Sequence, residues 1–448
     1  MKTWPWVITL VLVGVMLRLP LLGGYEPVPQ PDTGTYITTA RDLASGDFSE
    51  SEGRRTPGYP ALIAVVGEDP RHIMLAQMAF GLGTSLLLFA IALHMTGRPI
   101  FAFAAGLAYH LSLQQLFLEA SLLTESLTTF FVGATVAALL VTMRRLRQDS
   151  HALGTALLTG ACGAAAILVR PPFIFLALLL PLLLGYAASG LRWPSGRALG
   201  HAVLVALPIV LAVVGWSKVV QAKTGYFTMS TQSGLGLVNH SVEFIELAPE
   251  KYAVVRDILL KHRAERIAAA GHPGNTIWYA LPEIRQATGW SLPEASRQMQ
   301  QMSTQMFAEH PLRYAQSMVR PWLEFWTVPI FWAPERLSPA WLAAPLQAVW
   351  WVEHKLLRLS NLAFVLLVAS VLISRRVREA VSWDMDATAI SALILASSLL
   401  QAMADRGAGS RYAVTVQALV VVLLIVSAVR FRSRSRQAND MHAVPKAA

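Results

Sequence analysis

A few charged residues in this chain lie at the edges of long apolar blocks rather than in open polar stretches, and these could do chemistry. Asp32 falls in Pro31-Asp-Thr-Gly-Thr-Tyr36, just beyond the first apolar block. A carboxylate partly desolvated at a membrane face can take a proton from a hydroxyl as a general base. It can equally cap the short amphipathic helix expected over 33–44. Asp42, on the polar face of that same helix, reads as solvated. Glu125 opens another apolar block within Leu123-Thr-Glu-Ser-Leu127. A carboxylate at the hydrocarbon edge is costly and points to function; the alternative is a first-turn acid favoured by the helix dipole, with Thr124 as cap. Glu119 lies a turn away and could stand in for it. Arg54, Arg55, Arg170 and Arg411 offer fixed positive charge, unless they are snorkelling side chains or headgroup contacts. His240 and His310 could join an acid around a divalent ion, but no paired ligand motif occurs, so a metal stays open. His310 more simply ends a helix before Pro311.

The elements that must position these residues are membrane helices. Of 448 residues, 54% are hydrophobic and only 14% charged, against about 25% charged in soluble domains. Apolar blocks near 6–22, 73–94, 100–117, 126–143, 153–169, 173–188, 199–216, 360–373, 387–404 and 412–429 predict about ten spans in an all-α polytopic protein. With the N-terminus cytoplasmic, the arginine-bearing connections 96–99, 144–150, 192–197 and 375–378 and the tail 430–436 fall inside, as positive charge prefers. The net charge of +10 is thus a matter of topology, not of nucleic-acid binding. The same parity puts Arg170 and Arg411 outside, against that preference. The N-terminal block shows no cleavage site and reads as a retained span. A single cysteine, Cys162, excludes an intramolecular disulfide.

The chain divides into 1–217, a membrane module whose first outer loop is 23–71; 218–359, an extracytoplasmic and interfacial region; and 360–448, the last helices with a basic tail. Within the middle region, a helix over 250–270 stops at Gly271-His-Pro273. The next opens on a capping box at Ser291-Leu-Pro-Glu294 and stacks Met299, Met302 and Met306 on one packing face. Aromatic residues from Trp322 to Trp332 suggest an interfacial segment, and 321–331 and 341–351 could each dip into the membrane.

The acidic first loop with Asp32 and Tyr36, the helix Ala40-Arg-Asp-Leu-Ala44 and the turn Arg55-Thr-Pro-Gly-Tyr59-Pro60 resemble the GT-C glycosyltransferases. That superfamily includes protein O-mannosyltransferases and the lipid A aminoarabinose transferases. Leu123–Leu127, Val169-Arg-Pro-Pro172, Glu309–Tyr314 and Ser410-Arg-Tyr412 extend the likeness along the chain. The resemblance implies a GT-C-type fold with interfacial helices in the first outer loop. It also implies transfer of a sugar from a polyprenyl-phosphate donor to a glycan, lipid or protein acceptor on the outer face of the membrane, by inverting single displacement; chain size and the Ala- and Arg-rich composition suggest a bacterial inner membrane. Asp32 would then be the base, Glu125 a second acid serving acceptor or metal, and Arg54, Arg55, Arg170 and Arg411 anchors for the donor phosphate. Tyr36, Tyr59 and His240 complete the candidate site. Membrane lipids are the remaining expected partners, and the one cofactor left open is a divalent metal, which some relatives use and others do not.

The rival readings are a lipid-linked glycan transporter or flippase and a non-catalytic subunit of a surface-polysaccharide system. Transporters tend to show paired halves and charges at mid-bilayer, neither of which is legible here. No glycine-rich phosphate loop and no Gly-x-Ser-x-Gly motif occurs, which sets aside nucleotide hydrolysis and serine hydrolase chemistry.

Overall fold

The structure is a computed structural model that describes residues 3–47, 50–148, 151–189, 196–406 and 409–443. Among these residues there is no β-strand, only the isolated bridges Tyr25↔Leu337 and Val28↔Ser121. Nineteen α-helices follow one another: α1 (Trp4–Gly24), α2 (Thr33–Ser45), α3 (Gly58–Val66), α4 (Pro70–Thr96), α5 (Pro99–His110), α6 (Leu113–Glu119), α7 (Glu125–Arg147), α8 (Leu153–Val169), α9 (Leu176–Ser189) and α10 (Gly196–Thr224). After these come α11 (Ser233–Ser241), α12 (Ala253–Ala270), α13 (Thr276–Thr288), α14 (Leu292–Glu309), α15 (Pro311–Phe325), α16 (Ala343–Ile373), α17 (Arg375–Ala380), α18 (Met385–Ala404) and α19 (Gly409–Ala443).

All ten expected spans fall on helices. Seven of the helices are long and apolar enough to cross a membrane. The third expected span, a continuous helix over 100–117, is instead bent by 57° into α5 and α6. The break comes at Leu111–Ser112: Ser112 has extended backbone and its side chain accepts from the Gln115 N–H, starting a new helix. The last two, Leu153–Val169 and Pro171–Ala187, are shorter apolar helices. The basic connection expected over 192–197 lies largely outside the described residues.

Burial separates the spans into core and rim. In α7 and α19, 72% and 67% of the apolar stretch is buried, against 22% in α1, α10 and the helix at Ala340–Ile373. The core helices are therefore the ones that carry Glu125 and Arg411. Exposed Leu12, Met16 and Leu19 on α1 and Leu211 on α10 are what a lipid-facing rim requires. α16 runs unbroken through position 359 and has 31 residues, more than the roughly 20 needed for a crossing.

Helices α11 to α14 make a separate small core around Leu235, Val238, Ile245, Leu259 and Ile284. Met299, Met302 and Met306 all lie in it, at most 1% exposed, so the methionine stripe is packing. The Ser291 side chain accepts from the Glu294 N–H, and Gly271, with φ of +72°, stops α12 in the left-handed region where glycine carries no Cβ penalty.

Candidate active site

One short backbone pairing sets the site's geometry. The Val28 N–H donates to the Ala120 carbonyl (2.9 Å), and the Leu122 N–H donates to the Val28 carbonyl (3.0 Å). The first loop is thereby fixed against the segment that leads into α7. Asp32 and Glu125 each lie four residues beyond the Val28↔Ser121 bridge, so both are carried to the same place. The Thr33 hydroxyl, which donates to the Leu122 carbonyl at 3.1 Å, holds the start of α2 there.

Asp32 occupies the N-cap position of α2, yet its side chain makes no capping bond. It accepts instead from Arg55 Nη2 (2.6 Å) on one oxygen and from Arg411 Nη1 (2.7 Å) on the other. Glu125 accepts from Arg170 Nη1 at 2.6 Å and from Arg411 Nε. Arg411, in the first turn of α19, therefore bridges both carboxylates. Two guanidinium planes are backed by aromatic faces: Arg55 lies 4.7 Å from the Tyr36 ring centre, and Arg170 lies 4.4 Å from that of Tyr412. Three arginines face two carboxylates, leaving one net positive charge at a site made by the ends of four helices.

These groups surround a cavity of about 150 Å³. Asp32, Tyr36, Arg54, Arg55, Arg170 and Arg411 all line it, with Thr124, Ser230 and Tyr412 beside them. Glu125 does not reach the cavity: its side chain is 0% exposed, while that of Asp32 is 29% exposed. Asp32 is thus the carboxylate a ligand can touch, and Glu125 is the counter-charge that fixes Arg170 and Arg411 from behind. Burial by itself would raise the Asp32 pKa, but Arg55 and then Arg411 outweigh it and hold the carboxyl at about 2.

The remaining candidates lie elsewhere. Tyr59 stands behind Tyr36, with ring centres 5.0 Å apart, and donates its hydroxyl hydrogen to Gln77 Oε1 at 3.0 Å. Burial pushes its phenol well above the ordinary range. His240 is buried away from the cavity, with Nδ1 2.9 Å from the Ser317 hydroxyl and its ring edge-on to Tyr314. Burial lowers its pKa to about 4, so it is a neutral packing residue at physiological pH. His310 caps the C-terminus of α14. Asp42 is buried rather than solvated, because its carboxylate accepts from the Ser51 N–H at 2.9 Å and closes the loop after α2. Glu119 does not stand in for Glu125, since both its oxygens are taken by Arg18.

A divalent ion needs several oxygen or nitrogen donors brought together. Among the described residues no group of three His, Cys, Asp or Glu side chains could hold one. The two carboxylates that could begin such a set are already bridged by a guanidinium.

Sequence reasoning missed the residues that join the first loop to the segment before α11. The Thr231 N–H donates to the Gly53 carbonyl (3.0 Å), the Thr231 hydroxyl to the Glu52 carbonyl (2.9 Å) and the Ser230 hydroxyl to the Arg54 carbonyl (2.5 Å). The run Thr228-Met-Ser-Thr-Gln-Ser233 is the one hint, being the hydroxyl-rich stretch of that region. Asp405 was also missed; it accepts from the Tyr412 hydroxyl at 2.9 Å and from Asn239 at 3.0 Å.

No family model and no curated protein matches this sequence. Solved structures do share its fold. The oligosaccharyltransferase AglB of Archaeoglobus fulgidus, in complex with an inhibitory peptide and a dolichol-phosphate, aligns over 100% of this chain and 52% of its own, with 12% identity and a TM-score of 0.53. The same organism's enzyme tethered to an acceptor peptide aligns over 99% and 51%, with 12% identity and a TM-score of 0.51. ArnT of Cupriavidus metallidurans aligns more loosely, over 97% of this chain and 79% of its own, with 14% identity and a TM-score of 0.40. The chain spans about half the length of the archaeal proteins it matches. Its fold is that of the archaeal oligosaccharyltransferase over about half of that protein's length.

Proposed function

We propose that this chain is a membrane glycosyltransferase that moves a sugar from a polyprenyl-phosphate donor to an acceptor hydroxyl on the outer face of a bacterial inner membrane. The observation that carries the reading is one reachable carboxylate set among aromatic-backed guanidiniums in a single cavity. A fold neighbour solved with a dolichol-phosphate lends it support.

The chemistry follows from the charges. The acceptor oxygen attacks the anomeric carbon, the bond from that carbon to the phosphate oxygen breaks, and the polyprenyl phosphate leaves with the electron pair. A single displacement inverts the anomeric centre. The acceptor proton passes to Asp32. The leaving phosphate needs fixed positive charge rather than a proton, and arginine forks match its oxygens. Arg55, Arg170 and Arg411 supply that charge in this reading, with Arg54 at the rim.

A carboxylate held at about pKa 2 is a weak base, since efficient bases have pKa values near the working pH. The donor itself resolves this. Its phosphate competes with Asp32 for Arg55 and Arg411, and each guanidinium drawn off lets the carboxyl rise toward the range where it accepts a proton. In this reading Asp32 and the donor phosphate compete for the same two guanidiniums.

The test is mass spectrometry of lipids that stay with the purified protein, compared with Arg411→Ala. A polyprenyl phosphate or its sugar conjugate in the unaltered protein, lost in the variant, is expected. Only ordinary phospholipids in both samples would move the assignment to a transporter or scaffold.

A further inference from the structure

At the end of the bundle opposite Asp32, a second and larger cavity of about 500 Å³ opens between the C-terminus of α4, the turn before α18 and the stretch of α19 over 429–434. It is lined by Arg98, Arg430 and Arg434 and by the hydroxyls of Thr96, Ser382 and Ser433. The three arginines are differently committed. Arg430 is the floor: it gives N–H groups to Asp384 (2.7 Å), to the Ser382 carbonyl (3.1 Å) and to the Met95 carbonyl (3.1 Å). Arg434 donates to one backbone carbonyl, that of Glu379, which leaves most of its five N–H donors unused. The Arg98 side chain is exposed and has no partner among the described residues. Of the nearby acids, Asp384 is engaged with Arg430, and the Glu379 carboxylate is held by Arg375 at 2.8 Å. Two guanidiniums therefore face the cavity with no carboxylate to answer them.

We propose that this cavity is a phosphate-binding site that takes the head group of an anionic lipid from the cytoplasmic leaflet. Three features favour a lipid over a soluble phosphate. Arg411 and Arg430 lie on one continuous helix and 19 residues apart, roughly 28 Å along its axis, about the thickness of the hydrocarbon core. The cavity therefore sits at headgroup depth when Arg411 is at the opposite surface. The surrounding helix ends are apolar toward the bundle, with Met95 and Val429 in the lining, as an acyl-bearing ligand needs. Basic pockets between membrane helices on the cytoplasmic side take phospholipid head groups on general electrostatic grounds. The bound lipid would pin the helix that carries Arg411 from its far end. The inference rests on the sidedness proposed above, but not on the transferase reading.

The test uses the full-length protein in nanodiscs of phosphatidylcholine and phosphatidylglycerol in equal parts, with retained lipids counted by native mass spectrometry. Phosphatidylglycerol should be retained in preference. The pair Arg98→Gln with Arg434→Gln should lose that preference, roughly five-fold for each arginine removed. The pair Arg376→Gln with Arg432→Gln removes the same charge from exposed positions outside the cavity and should leave it unchanged. Equal loss in both pairs, or no preference in the unaltered protein, overturns the site. Calorimetric binding of inorganic phosphate without phosphatidylglycerol enrichment would overturn the lipid assignment in favour of a soluble anion. Both leaflets of a nanodisc carry the lipid and no turnover is measured, so Asp32→Asn should show the same lipid preference whether or not the transferase reading holds.

Discussion

Two buried arginine–carboxylate clusters in this protein invite comparison. In the outer cluster, three arginines meet two carboxylates around an open cavity. In the inner one, Arg18 meets Glu119 alone, through a fork of 2.7 and 2.6 Å, with side chains 3% and 0% exposed. Arg18 also donates to the Gly14 carbonyl at 2.9 Å and lies 3.1 Å from His110 Nδ1. Gly81 makes room for this pair, because a Cβ there would run into the Glu119 carboxylate and the Arg18 guanidinium. The inner pair is balanced and closed, which is what a structural tie between α1 and α6 needs. The outer cluster is over-supplied with positive charge and open to a ligand. A fully buried glutamate is common to both; the imbalance and the opening mark the site.

That distinction can be broken or sharpened by experiment. The largest effect expected is on turnover in Asp32→Asn: transfer should fall by about 10²–10⁴-fold, with the protein folded and its copurified lipid retained. Full activity would remove Asp32 as the base and reduce the outer cluster to scaffolding.

Glu119→Gln comes next, and acts on stability. Removing one partner of a buried pair leaves an uncompensated charge, typically worth roughly 3–5 kcal/mol. The variant should therefore unfold well below the unaltered protein in a detergent melt, while activity per folded molecule is kept. Replacing both partners, Arg18→Met with Glu119→Leu, should restore most of the melting temperature. A double variant that is stable but inactive would show that the inner pair serves the reaction after all.

The smallest effect is on pH dependence. In the free enzyme Asp32 is held at about 2, so protonation removes the base only at very low pH, and kcat/KM should stay level as pH falls. In the donor complex, Arg55 and Arg411 are shared with phosphate and the Asp32 pKa rises. The acid limb of kcat should therefore appear at higher pH than that of kcat/KM, since kcat reports groups in the enzyme–substrate complex. Limbs that coincide would mean that the arginines never leave Asp32.

Much of the architecture was legible because hydropathy is a local property. Every expected span fell on a helix, and the arginine beside α19 stood out as a charge on the wrong side. Asp32, Arg55, Arg170 and Arg411 were each visible one at a time. Their joining was not: Arg411 meets Asp32 across 379 positions and Glu125 across 286, and no spacing rule reaches that far. The inner pair shows the same limit. Arg18 and Glu119, 101 positions apart, each look like a stray charge, and only packing reveals that they cancel. The bend at Leu111–Ser112 was hidden because apolar composition continues through it and a single capping serine carries the signal. His240 misled in the opposite sense: a histidine in a polar loop region looked available, and the small core around α11 had buried it.

The contacts between the first loop and the segment before α11 have a consequence for how such a protein changes over generations. Thr231 and Ser230 hold on to the carbonyls of Glu52, Gly53 and Arg54, not to their side chains. The clasp is therefore indifferent to the side chain at Arg54, whereas Gly53, with φ of +67° and a Cβ that would run into Val220, is fixed by its backbone. The Arg54 side chain at the rim of the cavity can change without unfastening the loop that presents it, so in the proposed transferase selection has a position at which to explore substrate choice while Asp32 and its arginines stay in register.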